Sequence, residues 1–309
     1  MLVSIILPTV RTTTVGDAIE AILRQTVDDW EIVVVPQGPD QDLITLLDDY
    51  HRRDPRIRYV HSDLMNLSNA RNVGMAEATG DIFAFTDDDC EVAPDWVATI
   101  IEQLEARPDI GFLGGEVVAP KSTQPWRIST CPAAHVIEGE WLPSRGAEAP
   151  HGFYMIGANM VVRREVAERV GPFDVVLGAG ARFACCEDQD FGFRAAALDV
   201  GFKTTPKLVV HHTTGRRYGL EQFVKHQRNY ARGRGAWIQK LVMWEHPAGL
   251  RWATPLSWRD HVRALRRPDK WLLELWAGRV KREAGTEYRE HFELSDDVLS
   301  RPKAGVSVP

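Results

Sequence analysis

Three consecutive carboxylates, Asp87, Asp88 and Asp89, follow the strand-forming run IFAFT at residues 82–86. Ionised side by side they repel one another, and burying one without a partner is costly. Carboxylates at a strand end form a hard-oxygen site suited to Mg2+ or Mn2+, and such an ion neutralises phosphate oxygens. A second acidic pair, Glu187 and Asp188, opens a helical stretch far along the chain. Two separated sets of carboxylates suit a division of labour, one holding metal and the other moving a proton. The same residues also have plainer roles. Asp87–Asp89 can be turn and cap residues ahead of a helix near Asp95, and Glu187 and Asp188 favourable charges at a helix N-terminus. Asp190 with Arg194 reads as an i,i+4 ion pair rather than as chemistry.

The elements that must position these acids show in the hydrophobic pattern. Short β-branched runs recur at VSIIL (3–7), EIVVV (31–35), IRYV (57–60) and IFAFT. Between them, GDAIEAILRQ and DLITLLDDYHRR carry apolar residues at helical spacing. Strands alternating with helices predict an α/β fold with a mostly parallel sheet covered on both faces. In such sheets a ligand sits beyond the carboxyl ends of the strands. PTVRTTT (8–14), PQGPD (36–40) and Asp87–Asp89 are three such ends. No GxGxxG or Walker loop follows the first strand, so the phosphate cradle of a dinucleotide-binding or P-loop protein is missing. Further on, a basic helix around residues 162–170, a helix over CCEDQDFGFRAAAL (185–198) and a strand PKLVVHH (206–212) are expected. Strand signals stop near residue 215, and the remainder reads as helical with a polar tail from about residue 284.

Composition narrows the class. Four cysteines in 309 residues, Cys90, Cys131, Cys185 and Cys186, include no CxxC pair, so neither a disulfide framework nor a zinc site is indicated. The chain carries a net charge of −6, yet residues 225–282 hold fourteen Lys/Arg against four Asp/Glu and six of the ten tryptophans. That segment could lie on an anionic membrane surface or hold an anionic acceptor, or its tryptophans could pack on the main domain. No apolar run is long enough to span a membrane, and no basic leader with a cleavage site precedes the first strand. A cytoplasmic protein is expected, with contact at the inner face of the cell membrane through the basic segment and with no nucleic-acid partner.

SIILPTVR at the first strand, LSNARNVGMAEATGDIFAFTDDDCEVAPDW (67–96), GANMVVRRE and VGPFD within 157–174, EDQDFGFR (187–194) and VVHH (209–212) occur in this order. In these motifs the chain resembles family 2 of the inverting nucleotide-sugar glycosyltransferases, over residues 3 to about 235. The resemblance implies a GT-A fold, a Rossmann-like sheet with helices on both faces, here with a C-terminal helical appendage. It implies a GT-A domain over 1–215, with the nucleotide sugar bound by 1–115 and the acceptor and catalytic half at 116–215, followed by a basic, Trp-rich helical region with a polar tail over 216–309. Implied partners are a nucleotide-sugar donor and a glycan or lipid-linked acceptor, with Mg2+ or Mn2+ as cofactor, in cell-envelope polysaccharide biosynthesis.

Carried over residue by residue, Asp87 and Asp89 form the family's DxD, Asp87 nearer the donor ribose and Asp89 a metal ligand. Asp88 faces the nucleotide side. Asp188 is the implied general base and Glu187 its support. Arg71 would approach the nucleotide or its phosphates, while Pro8, Thr9 and Arg11 line the nucleoside pocket. Some members add a histidine to the metal shell. If Leu208 and Val210 share a strand face, His212 shares it and His211 does not. In one departure, Pro36 and Gln37 stand where relatives commonly place an acid to hold the base, which leaves uridine, thymidine and guanosine donors open. A non-catalytic sugar-nucleotide-binding relative and a sugar-nucleotide nucleotidyltransferase are the alternatives. The latter normally needs a glycine-rich basic loop that PTVRTTTVG does not supply.

Overall fold

Alternation along VSIILPT sends successive side chains to opposite faces of a sheet, and both faces are covered. In the computed structural model, which describes residues 1–120, 128–129, 133–142, 155–213, 217–253 and 268–306, this run is strand β1 (Val3–Thr9). Cys131 and Trp258 lie outside the described residues. Val3, Ile5 and Leu7 join one core with helices α1 (Thr12–Leu23) and α2 (Gln41–Arg53), while Ile6 points into a second core on the other face. Strands β2 (Trp30–Pro36), β3 (Ile57–Tyr59) and β4 (Ile82–Phe85) run parallel to β1 in the order β3-β2-β1-β4. Helix α3 (Leu67–Glu77) covers the second core, and Asp40 caps α2 by accepting from the backbone N–H groups of Asp42 and Leu43.

Past β4 the chain makes strand β5 (Cys90–Val92), helix α4 (Trp96–Ala106) and strand β6 (Ile110–Val118). The short strands β7 (Ile128–Ser129) and β8 (Gly139–Trp141) follow, then β9 (Met160–Arg163), helices α5 (Arg164–Val170) and α6 (Glu187–Ala197), and the long strand β10 (Gly201–His212). β9 slots between β4 and β6 and runs antiparallel to both, whereas β10 runs parallel to β6 and antiparallel to β5. The longest ladders are therefore parallel, in a mixed sheet. Arg163 and Arg164 anchor this junction by donating to backbone carbonyls of Ile110 and Leu104 and of Gly80 and Ala78.

The C-terminal part departs from the sequence expectation. After the short strand β11 (Arg217–Tyr218) come helices α7 (Leu220–Met243), α8 (Pro247–Ala253) and α9 (Pro268–His291). The polar stretch from residue 284 is not a tail: it continues α9 and ends in a hairpin of β12 (Phe292–Leu294) and β13 (Ser300–Pro302). Tyr288 and Phe292 are fully buried in a third core with Trp237, Leu241, Phe183 and Cys186, which the flanking charges hide in the sequence. Trp237 also packs edge-on against Phe193 of α6, with ring centroids 5.1 Å apart. The basic, glycine-containing stretch NYARGRGAW (229–237) is continuous helix within α7.

Buried charge joins this layer to the sheet domain. Lys240 of α7 is fully buried and donates to Asp174 Oδ2 and Asp190 Oδ1, each at 2.6 Å. Asp190 pairs in turn with Arg194 at 2.9 Å, and Asp174 also accepts from the backbone and hydroxyl of Ser300 at 3.0 and 2.5 Å. Burial works against the Asp174 carboxylate, but Lys240, Ser300 and the Val176 N–H together hold its pKa below the usual carboxylate value.

At the far end of the sheet, Glu31 accepts from Ser4 at 2.7 Å, from the Thr79 N–H at 2.5 Å and from Arg58 at 2.7 Å. Burial alone would raise its pKa, and these donors instead lower it to about 2. Because the folded value lies below the ordinary 4.5, this contribution, about 2–3 kcal/mol, is present above that pH and lost as pH falls towards 2. Glu31→Gln is expected to flatten the acid limb of the stability curve, measured by urea unfolding at stepped pH. Lys240→Met strands two buried carboxylates and is expected to cost about 3–5 kcal/mol in the same assay at neutral pH.

Candidate active site

The repulsion among the three acids after β4 is offset by two arginines, Arg11 for Asp88 and Asp89 and Arg71 for Asp87. Asp88, 4% exposed, accepts from the Thr9 hydroxyl at 2.8 Å and from Arg11 at 2.6 Å. Its burial pushes the carboxyl upward, opposed by Arg11 and Thr9. Asp89 meets Arg11 at 3.2 Å through one oxygen and His212 Nδ1 at 3.5 Å through the other. Asp87 stays partly open to solvent and lies 3.6 Å from Arg71. Thr9 and Arg11, at the carboxyl end of β1, thus answer the charge at the end of β4.

Arg71 projects from α3 and is 1% exposed. Its guanidinium is shared between Asp87 and Glu187, the latter at 2.9 Å, and lies over the Phe173 ring at 5.5 Å. Gly157 makes room for it: a Cβ there would fall 2.3 Å from Arg71 Nη2. Glu187 is pushed up to about 7 by burial first and by the neighbouring Asp188 second, with Arg71 opposing both. Asp188, half-buried in the first turn of α6, is aimed by backbone donors, the Gly157 N–H at 2.9 Å and the Gln189 N–H at 2.8 Å. Charge on a carboxylate is favoured at a helix N-terminus. Cys186, which precedes the helix, holds the left-handed conformation with φ of 75°.

Strand register settles the two histidines. Cys90 of β5 and His212 of β10 are cross-strand partners, so their side chains share a face, and His211 is exposed on the other. Cys90 Sγ lies 3.3 Å from His212 Nδ1, and Asp87, Cys90 and His212 each offer a ligand atom within 4.8 Å of the others. Carboxylate, imidazole and thiol together suit a borderline cation such as Zn2+ or Fe2+, whereas the harder Mg2+ and Mn2+ favour the carboxylate oxygens of Asp87 and Asp89. Cys90 is the residue that sequence reasoning missed. It adjoins the acidic triplet, but its partner is 122 residues away and only the β5–β10 register brings them together.

The two acidic sets open onto one cleft of about 170 Å³, lined by Asp87, Asp89 and His212 and by Glu187 and Asp188, with Arg71 among them. Cys185, Tyr230 and Arg234 also line it, the last two from α7. Pro8, Thr9, Arg11, Gln37 and Asp88 do not. Pro8 pairs with Val35 inside the sheet, and Gln37 is buried with its N–H on Thr9 O.

The family model for glycosyl transferase family 2 matches residues 4–171. The chain is 28% identical over 169 residues to glucosyl-dolichyl phosphate glucuronosyltransferase of Haloferax volcanii, an alignment covering 53% of this chain and 52% of that one. It is 36% identical over 105 residues to the uncharacterized glycosyltransferase EpsJ of Bacillus subtilis, covering 34% and 30%. It is 26% identical over 216 residues to the O-antigen biosynthesis protein RfbC of Myxococcus xanthus, covering 64% and 16%. The chain thus spans about half the length of the first of these relatives and less of the others. Among solved structures, it resembles the mannosyltransferase PcManGT from Pyrobaculum calidifontis in complex with GDP-Man and Mn2+, with a TM-score of 0.53 at 17% identity over 94% of this chain and 76% of that one. S. aureus TarS, residues 1–349, gives a TM-score of 0.56 at 13% identity over 100% and 98%. At these identities the likeness shows the fold.

Cobalt(II) reports directly on the sulfur. Titrated into the full chain, it is expected to raise a near-ultraviolet thiolate-to-cobalt charge-transfer band that Cys90→Ser abolishes and His212→Ala weakens. A spectrum unchanged in Cys90→Ser leaves the thiol outside the metal shell.

Proposed function

The chain belongs to glycosyl transferase family 2, and from that premise we propose that it is a metal-dependent, inverting glycosyltransferase moving a sugar from a nucleoside-diphosphate donor to a hydroxyl of a glycan or lipid-linked acceptor. The observation that carries this reading is the single cleft shared by two separate carboxylate sets. Asp87, Asp89 and His212, with Cys90 beside them, would hold a divalent cation that supplies neutralising charge for the leaving diphosphate. The nucleoside would lie across the ends of β1 and β2, where Thr9 and Arg11 meet Asp88, Pro8 pairs with Val35 and the Gln37 N–H bonds Thr9 O.

Asp188 is the general base. An acceptor hydroxyl is a weak nucleophile until a positioned carboxylate takes its proton, and inversion then follows from one in-line displacement at the anomeric carbon. The Gly157 N–H fixes Asp188 Oδ2 and leaves the carboxylate half-exposed to the cleft. Glu187 acts through position, since its ion pair with Arg71 clamps the first turn of α6 against α3. Arg71 lends positive charge to the Asp87 side while staying buried.

Residues 1–215 would carry donor binding and catalysis, with the C-terminal region bracing α6. No helix among the described residues is long and apolar enough to cross a membrane. Peripheral contact is proposed instead, through the N-terminal half of α7, where Leu220 and Val224 are exposed beside Lys225 and Arg228. Flotation with anionic liposomes at low salt is expected to capture the chain, and no capture removes the membrane contact.

Asp188→Asn is expected to lower transfer by about 10²–10⁴-fold while nucleotide-sugar binding with Mn2+, followed by thermal shift, is retained. An Asn variant with full turnover and normal donor binding overturns the assignment. Screening nucleotide sugars by the same shift identifies the donor, because a ligand that binds only the folded chain raises its melting point.

A further inference from the structure

Helix α7 lies directly on the segment that leads into the catalytic helix. At Gly233 a Cβ would fall 2.5 Å from Cys185 Sγ and 2.9 Å from Cys185 N, so only glycine lets the two backbones approach this closely. The Cys185 thiol also donates to Tyr230 O at 3.4 Å. This contact brings Tyr230 and Arg234, one helical turn apart, to the wall of the cleft that holds Asp188.

The two basic residues on either side of Gly233 are used differently. Arg232 is tied to Glu287 at 2.9 Å and serves the fold. Arg234 is exposed and has no hydrogen bond or ion pair with any described residue. Tyr230 stands one turn earlier, its ring 4.4 Å from that of His226 and tilted 44° to it, and lines the same cleft as the arginine. A guanidinium kept in a catalytic cleft without a carboxylate partner is a binding group for an anion, for which its fork of donors is shaped. An aromatic face beside it suits the C–H face of a sugar ring.

We propose that Tyr230 and Arg234 form an acceptor subsite for a sugar bearing a phosphate or carboxylate, held on the Asp188 side of the cleft by the Arg234 guanidinium. The assignment rests on the glycosyltransferase reading for its role but not for its binding chemistry. It narrows the acceptor to a saccharide whose anionic group lies within about one sugar residue of the hydroxyl that reacts, the span from one wall of so small a cleft to the next.

Saturation-transfer NMR tests the subsite on the full chain with Mg2+ and saturating UDP, dTDP and GDP, so that a diphosphate site for any of the three bases is filled. Glucose 1-phosphate, glucuronate and methyl glucoside are the probes. At least one anionic probe is expected to bind more tightly than methyl glucoside, and which one does distinguishes phosphate from carboxylate. Arg234→Ala and Arg234→Glu are expected to weaken that probe by about tenfold or more, the loss of one charge-assisted contact, with Arg234→Lys intermediate. Tyr230→Ala should weaken all three probes. The subsite is overturned if methyl glucoside binds as well as the anions, or if Arg234→Ala leaves anion binding unchanged. It is also overturned if the Arg234 variants lose their nucleotide-induced thermal shift, which would make Arg234 part of the donor site. If the wild-type chain shows no nucleotide shift at all, the glycosyltransferase reading fails, while the probes still decide the subsite.

Discussion

The cleft depends on the buried guanidinium of Arg71. It sits between Asp87 after β4 and Glu187 at the head of α6, and so couples two segments that the chain keeps a hundred residues apart. Burying Glu187 beside Asp188 is unfavourable, as its raised pKa records, and Arg71 is what makes that burial tolerable. The space for the guanidinium comes from a side chain that is not there, at Gly157, and the same residue's N–H orients Asp188. One glycine therefore serves both the charge and the proposed base.

The second constraint is the layer behind α6. The helix cannot hold its N-terminus against Arg71 unless its other face is fixed, and that face rests on α7 through Asp190 with Lys240 and through Phe193 with Trp237. Far from hanging loosely, the C-terminal region shares a core with Val176, Leu177 and Phe183, the stretch that closes over Leu67 and Ser68 at the start of α3. Of the readings that the tryptophan enrichment left open, packing on the main domain holds at Trp237.

Much of this was legible beforehand where the signal is local. The unbroken, largely β-branched or aromatic runs at β1, β2 and β4 and the helical periods of α1 and α2 are set by residues within one element, so their burial pattern is written in the sequence itself. The strand-end acids, the Glu187–Asp188 pair and the ion pair of Asp190 with Arg194 were legible for the same reason. The rest depends on contacts the chain makes at long range. β5 has three residues, and its importance lies in facing His212. The glycines at 233 and 235 suggest flexibility on paper but are sites where α7 presses on Cys185 and on Lys281. The β12–β13 hairpin carries few strand-forming residues, and is drawn in by the hydrogen bonds of Ser300 to Asp174.

The tie between Ser300 and Asp174 has a temporal consequence. A chain threading out of the ribosome can pair β1 to β4 early, but β9 must arrive before the sheet closes and β10 before His212 meets Cys90. Asp174 then waits a further 126 residues for its last donor. The acid-lined cleft would thus reach its finished shape only after residue 300 has emerged, so that a polypeptide stalled short of that point could hold much of its sheet and still lack the brace behind α6.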